Sequence, residues 1–143
     1  MKISDVIRSK TDAATVTVAP ESTVRELLAV LAEHNIGAAV VSSDGTGVEG
    51  IVSERDVVRH LHREEGVLDG SVAAIMTARV RTCEPDVDVD ALMAQMTEHR
   101  IRHVPVVQDG RLVGVVSIGD VVKNRIDQLE FERDQLDSYV HQG

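Results

Sequence analysis

A chain of 143 residues makes one ordinary domain or two small halves, and its 43% apolar content can build a core. That core must be aliphatic, since Phe131 and Tyr139 are the only aromatic residues, and the net charge of -9 argues against a nucleic-acid partner, which needs a basic face. The single Cys83 rules out an internal disulfide, no apolar run reaches ~18 residues, and Met1 to Asp5 carries no signal-peptide pattern, so a cytoplasmic chain with no membrane partner is expected.

In chain order, Ile3 to Arg8 reads as a short helical turn with apolar residues at 3, 6 and 7, followed by a polar connection from Ser9 to Ala14. Thr15 to Val18 is strand-like and Pro20 stops it. Thr23-Val24-Arg25-Glu26 has the capping-box pattern and opens a helix with Val24, Leu27, Leu28 and Leu31 on one face. Gly37 to Val41 is a continuous apolar strand, the pattern of one covered on both sides. Ser42 to Gly47 is turn chemistry, and Val48 to Val52 returns as a hairpin partner. The stretch Gly50-Ile51-Val52-Ser53-Glu54-Arg55-Asp56 then joins strand to amphipathic helix, which runs to about His62.

Glu64 to Gly70 is a break, and after it the order repeats. Val72, Ile75 and Met76 echo Ile3, Val6 and Ile7; Arg81 to Pro85 echoes Val16 to Pro20. Val89, Leu92, Met93 and Met96 echo Val24, Leu27, Leu28 and Leu31 at an offset of 65. Asp109-Gly110 marks a second hairpin, and Gly114-Val115-Val116-Ser117-Ile118-Gly119-Asp120 repeats the junction at an offset of 64. Two copies of a β-α-β-β-α unit are implied, residues 1–65 and 66–126, with a helical tail over 127–143. A unit of roughly 60 residues buries little surface alone. The two should therefore pack sheet to sheet about a pseudo-twofold axis, an α/β (α+β) architecture that brings the junctions near a shared cleft.

Ser-x-x-Asp at a strand-to-helix junction has two readings. One is a capping box, with Ser accepting from an early helix N–H and Asp reaching back. The other uses the same geometry for a ligand. Free N–H groups and the helix dipole suit a phosphate, the Ser hydroxyl adds a donor, Arg55 adds a charge, and Asp can accept from two ribose hydroxyls. The Gly lets another group approach the backbone. Arg102-His103, at the start of a strand entering the core, reads as a phosphate contact in preference to a solvated edge. His60 and His62 fall on different helix faces, so a solvated helix end fits them better than a metal site. His34 and His99 suit helix C-termini. The alternating Glu84, Asp86, Asp88 and Asp90 suit an exposed helix start, and Cys83 a small core position. No catalytic or metal-binding constellation emerges, so no enzyme activity and no metal are expected.

The duplicated order of helix, strand-Pro, helix, strand, hairpin and Gly-φ-φ-Ser-x-x-Asp resembles a tandem pair of the CBS domain family, over about residues 3 to 126. The resemblance implies one folded module that binds adenosine-containing ligands (AMP, ADP or ATP, with NAD or S-adenosylmethionine as further members of the class) and senses without catalysing. It places ribose-binding carboxylates at Asp56 and Asp120, phosphate-holding hydroxyls at Ser53 and Ser117, and further phosphate contacts at Arg55 and Gly119, so the copies are inequivalent. It assigns Ile36, Gly37, Ala38 and Ala39, and Ile101, Arg102, His103, Val104 and Pro105, to the segments flanking the base. Thr17, Val18, Thr82 and Cys83 complete the pockets. The leading expectation is a regulatory module that reports adenine-nucleotide state to an unknown regulated protein. The alternative is an interaction protein with vestigial sites. A homodimer is expected, because the last helix carries an apolar seam at Val122, Ile126, Leu129, Leu136 and Val140, with Arg133 in the missing position.

Overall fold

A computed structural model describes residues 1–10 and 15–142, so most of the polar connection expected before Thr15 lies outside the described residues. The elements run α1 (Ile3–Ser9), β1 (Thr17–Val18), α2 (Val24–His34), β2 (Ala38–Val41), β3 (Gly50–Ser53), α3 (Glu54–Arg63), two 3₁₀ turns (Glu65–Asp69 and Val72–Ala74), α4 (Val89–His99), β4 (His103–Gln108), β5 (Arg111–Ser117) and α5 (Ile118–Gln142). The architecture is α+β, two pseudo-symmetric units and a C-terminal helical extension, as the repeat implies.

Local chemistry sets the boundaries. Thr23 Oγ1 accepts from Glu26 N at 3.1 Å and caps α2. Both α2 and α4 stop at a left-handed residue, Asn35 (φ 52) and Arg100 (φ 55). Asp88 begins α4 without capping it through its side chain and instead pairs with Lys2 at 2.9 Å. The β4–β5 turn puts Asp109 (φ 53) and Gly110 (φ 78) in the left-handed region, which favours the Asp-Gly pair found there.

Strand β1 pairs in parallel with β2, which pairs antiparallel with β3; β4 and β5 form a second antiparallel sheet. The strand expected over Arg81 to Pro85 contracts to a single parallel bridge, Cys83 to Val106. Cys83 is the one buried residue there, while Arg81, Thr82 and Glu84 face solvent and give a longer strand nothing to pack.

Each core takes its entry segment from the other half of the chain. Ile3 and Val6 of α1 pack with Leu92, Met96, Val104 and Val116. Val72 and Ile75 pack with Leu27, Leu31, Val41 and Val52. Backbone bonds hold both crossings in matching positions: Ile3 N donates to Val87 O (2.9 Å) and Val89 N to Met1 O (3.0 Å), while Val72 N donates to Ser22 O (2.8 Å) and Val24 N to Gly70 O (3.0 Å). The exchange also accounts for the motif glycines. A Cβ on Gly50 would lie 2.6 Å from Met76 Sδ and 3.0 Å from Thr77 O, and one on Gly114 would lie 3.2 Å from Ile7 Cδ1. The group that approaches the backbone is therefore the crossing segment.

The last helix starts at the second junction and buries Val121. It extends over 25 residues, about 37 Å at 1.5 Å per residue, and is exposed from Leu129 to His141.

Candidate functional site

Both junctions form the capping box. At the first, Ser53 N donates to Asp56 Oδ2 at 2.9 Å and Asp56 N to Ser53 Oγ at 3.3 Å. At the second, Ser117 N donates to Asp120 Oδ2 at 2.9 Å and Asp120 N to Ser117 Oγ at 3.1 Å. The cap uses one carboxylate oxygen. Oδ1 of each Asp has no hydrogen-bond partner among the described residues, so capping and ligand binding are compatible.

Two clefts flank these carboxylates, each built from both halves of the chain. A cleft of about 880 Å³ sets Asp56, at the start of α3, opposite Thr77 to Arg81 and His99 to His103. A smaller one of about 390 Å³ sets Asp120 opposite Ile7, Lys10, Thr15, Val16 and His34 to Ala38. The expected shared cleft is thus a pair of neighbours, with Gly37, Ala38 and His103 lining both. The His103 ring lies over Gly37, where a Cβ would sit 3.7 Å from its Cε1.

Of the residues singled out from sequence, Ser53, Arg55, Asp56, Ile101 and Arg102 line the first cleft. Ile36, Ser117 and Asp120 line the second. Thr17, Val18, Thr82 and Cys83 line neither; residues two earlier do so, Thr15 and Val16 in one cleft and Val80 and Arg81 in the other. Ala39, Val104 and Pro105 are buried in their strands, and Gly119 is exposed beside the second cleft without lining it. Sequence reasoning missed Arg59, Arg79, Arg81, Arg100 and Lys10. Only Arg59 carried a local signal, four residues after Arg55 on α3 and so on the same helix face.

Charge distinguishes the clefts. Arg55, Arg59, Arg79, Arg81, Arg100 and Arg102 line the first against two carboxylates, Glu54 and Asp56. None of these six forms an ion pair among the described residues, although the chain as a whole is acidic. At the corresponding positions of the opposite copy, Arg55 becomes Gly119, Arg81 becomes Val16, Arg100 becomes Asn35 and Arg102 becomes Gly37. The second cleft has instead Lys10, whose Nζ donates to Asp120 Oδ2 at 2.9 Å and Val115 O at 2.8 Å. Burial pushes the Asp120 carboxyl up, but the Ser117 amide and the Lys10 ammonium outweigh it and hold the group below the ordinary carboxylate range. Burial pushes the His103 imidazole down; Asp120 and Glu54 oppose this, Lys10 and Arg102 reinforce it, and the net shift is downward. Ile51, Val58, Val80 and Ile101 provide aliphatic wall in the first cleft.

Among the described residues no helix is long and apolar enough to cross a membrane, and no three His, Cys, Asp or Glu side chains are placed to hold a metal. The family model for the CBS domain matches residues 3–63 and 72–127. The mitochondrial CBS domain-containing protein CBSX3 of Arabidopsis thaliana is 34% identical over 149 aligned residues, covering 99% of this chain and 72% of that protein. The CBS-domain containing protein ATU1752 of Agrobacterium tumefaciens has a solved structure that superposes with a TM-score of 0.82 at 41% identity, over 87% of this chain and 99% of that one. The CBS domain pair of protein MJ0100, solved with 5′-methylthioadenosine and S-adenosyl-L-methionine, superposes at 0.77 with 25% identity, over 90% and 98% of the two chains.

Proposed function

The chain belongs to the CBS domain family as a tandem pair, and from that premise we propose that it is a regulatory module sensing adenine nucleotides through the Asp56 cleft. The observation that carries this reading is the convergence on one cleft of an acidic protein of six arginines that form no ion pair among the described residues. Arginines left without carboxylate partners around a cleft suit a phosphate chain, which they can hold bidentately. The free Oδ1 of Asp56 suits a ribose diol, and Ile51, Val58, Val80 and Ile101 suit the faces of a base. Adenosine is the part shared by the two ligands of MJ0100, which supports the choice of nucleoside. Ligand state would pass to a regulated protein.

Calorimetry with adenosine, AMP, ADP, ATP, NAD and S-adenosylmethionine tests the proposal. Affinity should rise with phosphate number and fall with salt, because the arginine contacts are screened by added ions. Equal affinity for adenosine and AMP would remove the phosphate assignment. A second reading, an interaction protein acting through homodimerisation, is favoured by the exposed apolar residues of α5: Ile126, Leu129, Leu136 and Val140 are each at least 50% exposed.

A further inference from the structure

We infer that Lys10 decides the occupancy of the second cleft: seated against Asp120, it keeps a ribose diol off that carboxylate, so the chain takes one nucleotide rather than two. The inference rests on the reading above that Asp56 and Asp120 are ribose-binding groups. Lys10 Nζ is held by two acceptors at once, Asp120 Oδ2 at 2.9 Å and Val115 O at 2.8 Å, from two adjoining elements. The pair is shielded, with the two side chains 33% and 24% exposed, so neither charge is freely solvated. A diol approaching Asp120 finds only Oδ1 free, on a carboxylate whose Oδ2 holds both the cap and an ammonium that already neutralises its charge.

The first cleft offers the contrast. Arg79 holds the place of Lys10, three residues after the second copy's apolar Met76 as Lys10 follows Ile7, and lines the Asp56 cleft. It makes no ion pair, and the Asp56 carboxylate keeps only its capping partners. A phosphate entering the second cleft would find none of the four arginines whose places are taken by Gly119, Val16, Asn35 and Gly37. It could take the third N–H of the Lys10 ammonium, but would share that one charge with Asp120 Oδ2 and Val115 O. The ribose half of a nucleotide is thus disfavoured by one side chain, and the phosphate half finds one shared cation where the first cleft has arginines.

The test uses the full chain in an Asp56→Ala background, which isolates the second cleft, with ATP and AMP as probes. Lys10→Met removes the charge at similar length, and Lys10→Gln is the second variant; melting temperatures on the same samples verify folding. Adding either Lys10 substitution should create a site of one ligand per chain, at least about tenfold tighter than the parent's residual binding, and Asp120→Ala should abolish it again. No gain in folded Lys10 variants overturns the inference. Weaker binding after Lys10 removal overturns it too, since Lys10 would then be a phosphate contact. Failure of the Asp56 assignment reads out separately, as equal nucleotide affinity in the wild type and the Asp56→Ala protein.

Discussion

Asp56 serves the fold and, in the proposed function, the ligand, and two substitutions separate the roles. Its Oδ2 accepts from Ser53 N at 2.9 Å and from Ser53 Oγ at 3.2 Å at the start of α3. Asp56→Ala deletes both bonds, and loss of an N-terminal cap costs about 0.5–2 kcal/mol of stability. Asp56→Asn keeps an oxygen for Ser53 N and removes the charge, so its stability should stay near that of the wild type. A ribose diol on the free Oδ1 would make charge-assisted bonds worth about 1.5–3 kcal/mol each. Losing even half of one such pair corresponds to about 1.4 kcal/mol, or about tenfold in dissociation constant. Both variants should therefore weaken ATP binding by at least about tenfold, while only Asp56→Ala lowers the melting temperature. Calorimetric titration and thermal melts on the same samples provide both readings. If both variants bind within about twofold of wild type per folded molecule, the carboxylate is a cap and nothing more.

Gly50→Ala should destabilise the fold by about 1–3 kcal/mol, since its Cβ would fall 3.0 Å from a backbone oxygen that cannot swing aside; Gly114→Ala, which meets only the flexible end of Ile7, should lower the denaturant midpoint less. Burial pushes the Cys83 thiol up to about 11, so alkylation of the native protein at pH 8 should be far slower than in denaturant, and stability should decline as pH rises above the ordinary thiol range. The lowered His103 value means that the unfolded chain binds this proton more readily, so its contribution to stability is present above pH 6.5 and erodes as pH falls below it. A phosphate bound beside His103 should raise the lowered value of the ring, giving proton uptake on binding in mildly acidic buffers of different ionisation enthalpy; uptake unchanged in His103→Gln would assign it elsewhere.

What the sequence made legible was local or repeated. The Thr23 cap, the two Ser-x-x-Asp boxes and the Asp109-Gly110 turn each depend on residues one to three apart; the two boxes and the turn form as their patterns imply, while of the box at Thr23 only the bond from Glu26 N to Thr23 Oγ1 forms. The duplication was legible because Leu92 and Met96 stand to their helix as Leu27 and Leu31 stand to theirs. The exchange of Ile3 and Val6 for Val72 and Ile75 between the cores was not, because an apolar turn shows that it will be buried but not by which partner. The first cleft had the same obscurity. Arg79 and Arg81 precede α4, Arg100 and Arg102 follow it, and Arg55 and Arg59 belong to the other half; only the fold makes them one patch. Lys10 and Asp120 are 110 residues apart, a pairing no sequence period encodes.

The same distinction bears on α5, whose pattern is local while its partner is not. Its seam of Val122, Ile126, Leu129, Leu136 and Val140 follows heptad spacing, with Arg133 at the polar position. The helix does not fold back onto the module: the seam residues are 44%, 51%, 50%, 65% and 70% exposed. Such a stripe on a lone chain is an unprotected apolar surface, and burying each side chain would contribute about 1.5–3 kcal/mol. A second copy is the occupant we propose. The residues lining both clefts all precede the exposed part of the helix. Truncation after Arg125, which keeps the Arg125–Asp90 ion pair at 3.6 Å, should therefore lower the dimer fraction in sedimentation and leave ATP affinity nearly intact. A truncated chain that stays fully dimeric at low micromolar concentration would show that α5 does not hold the dimer, and its apolar face would then belong to a different protein.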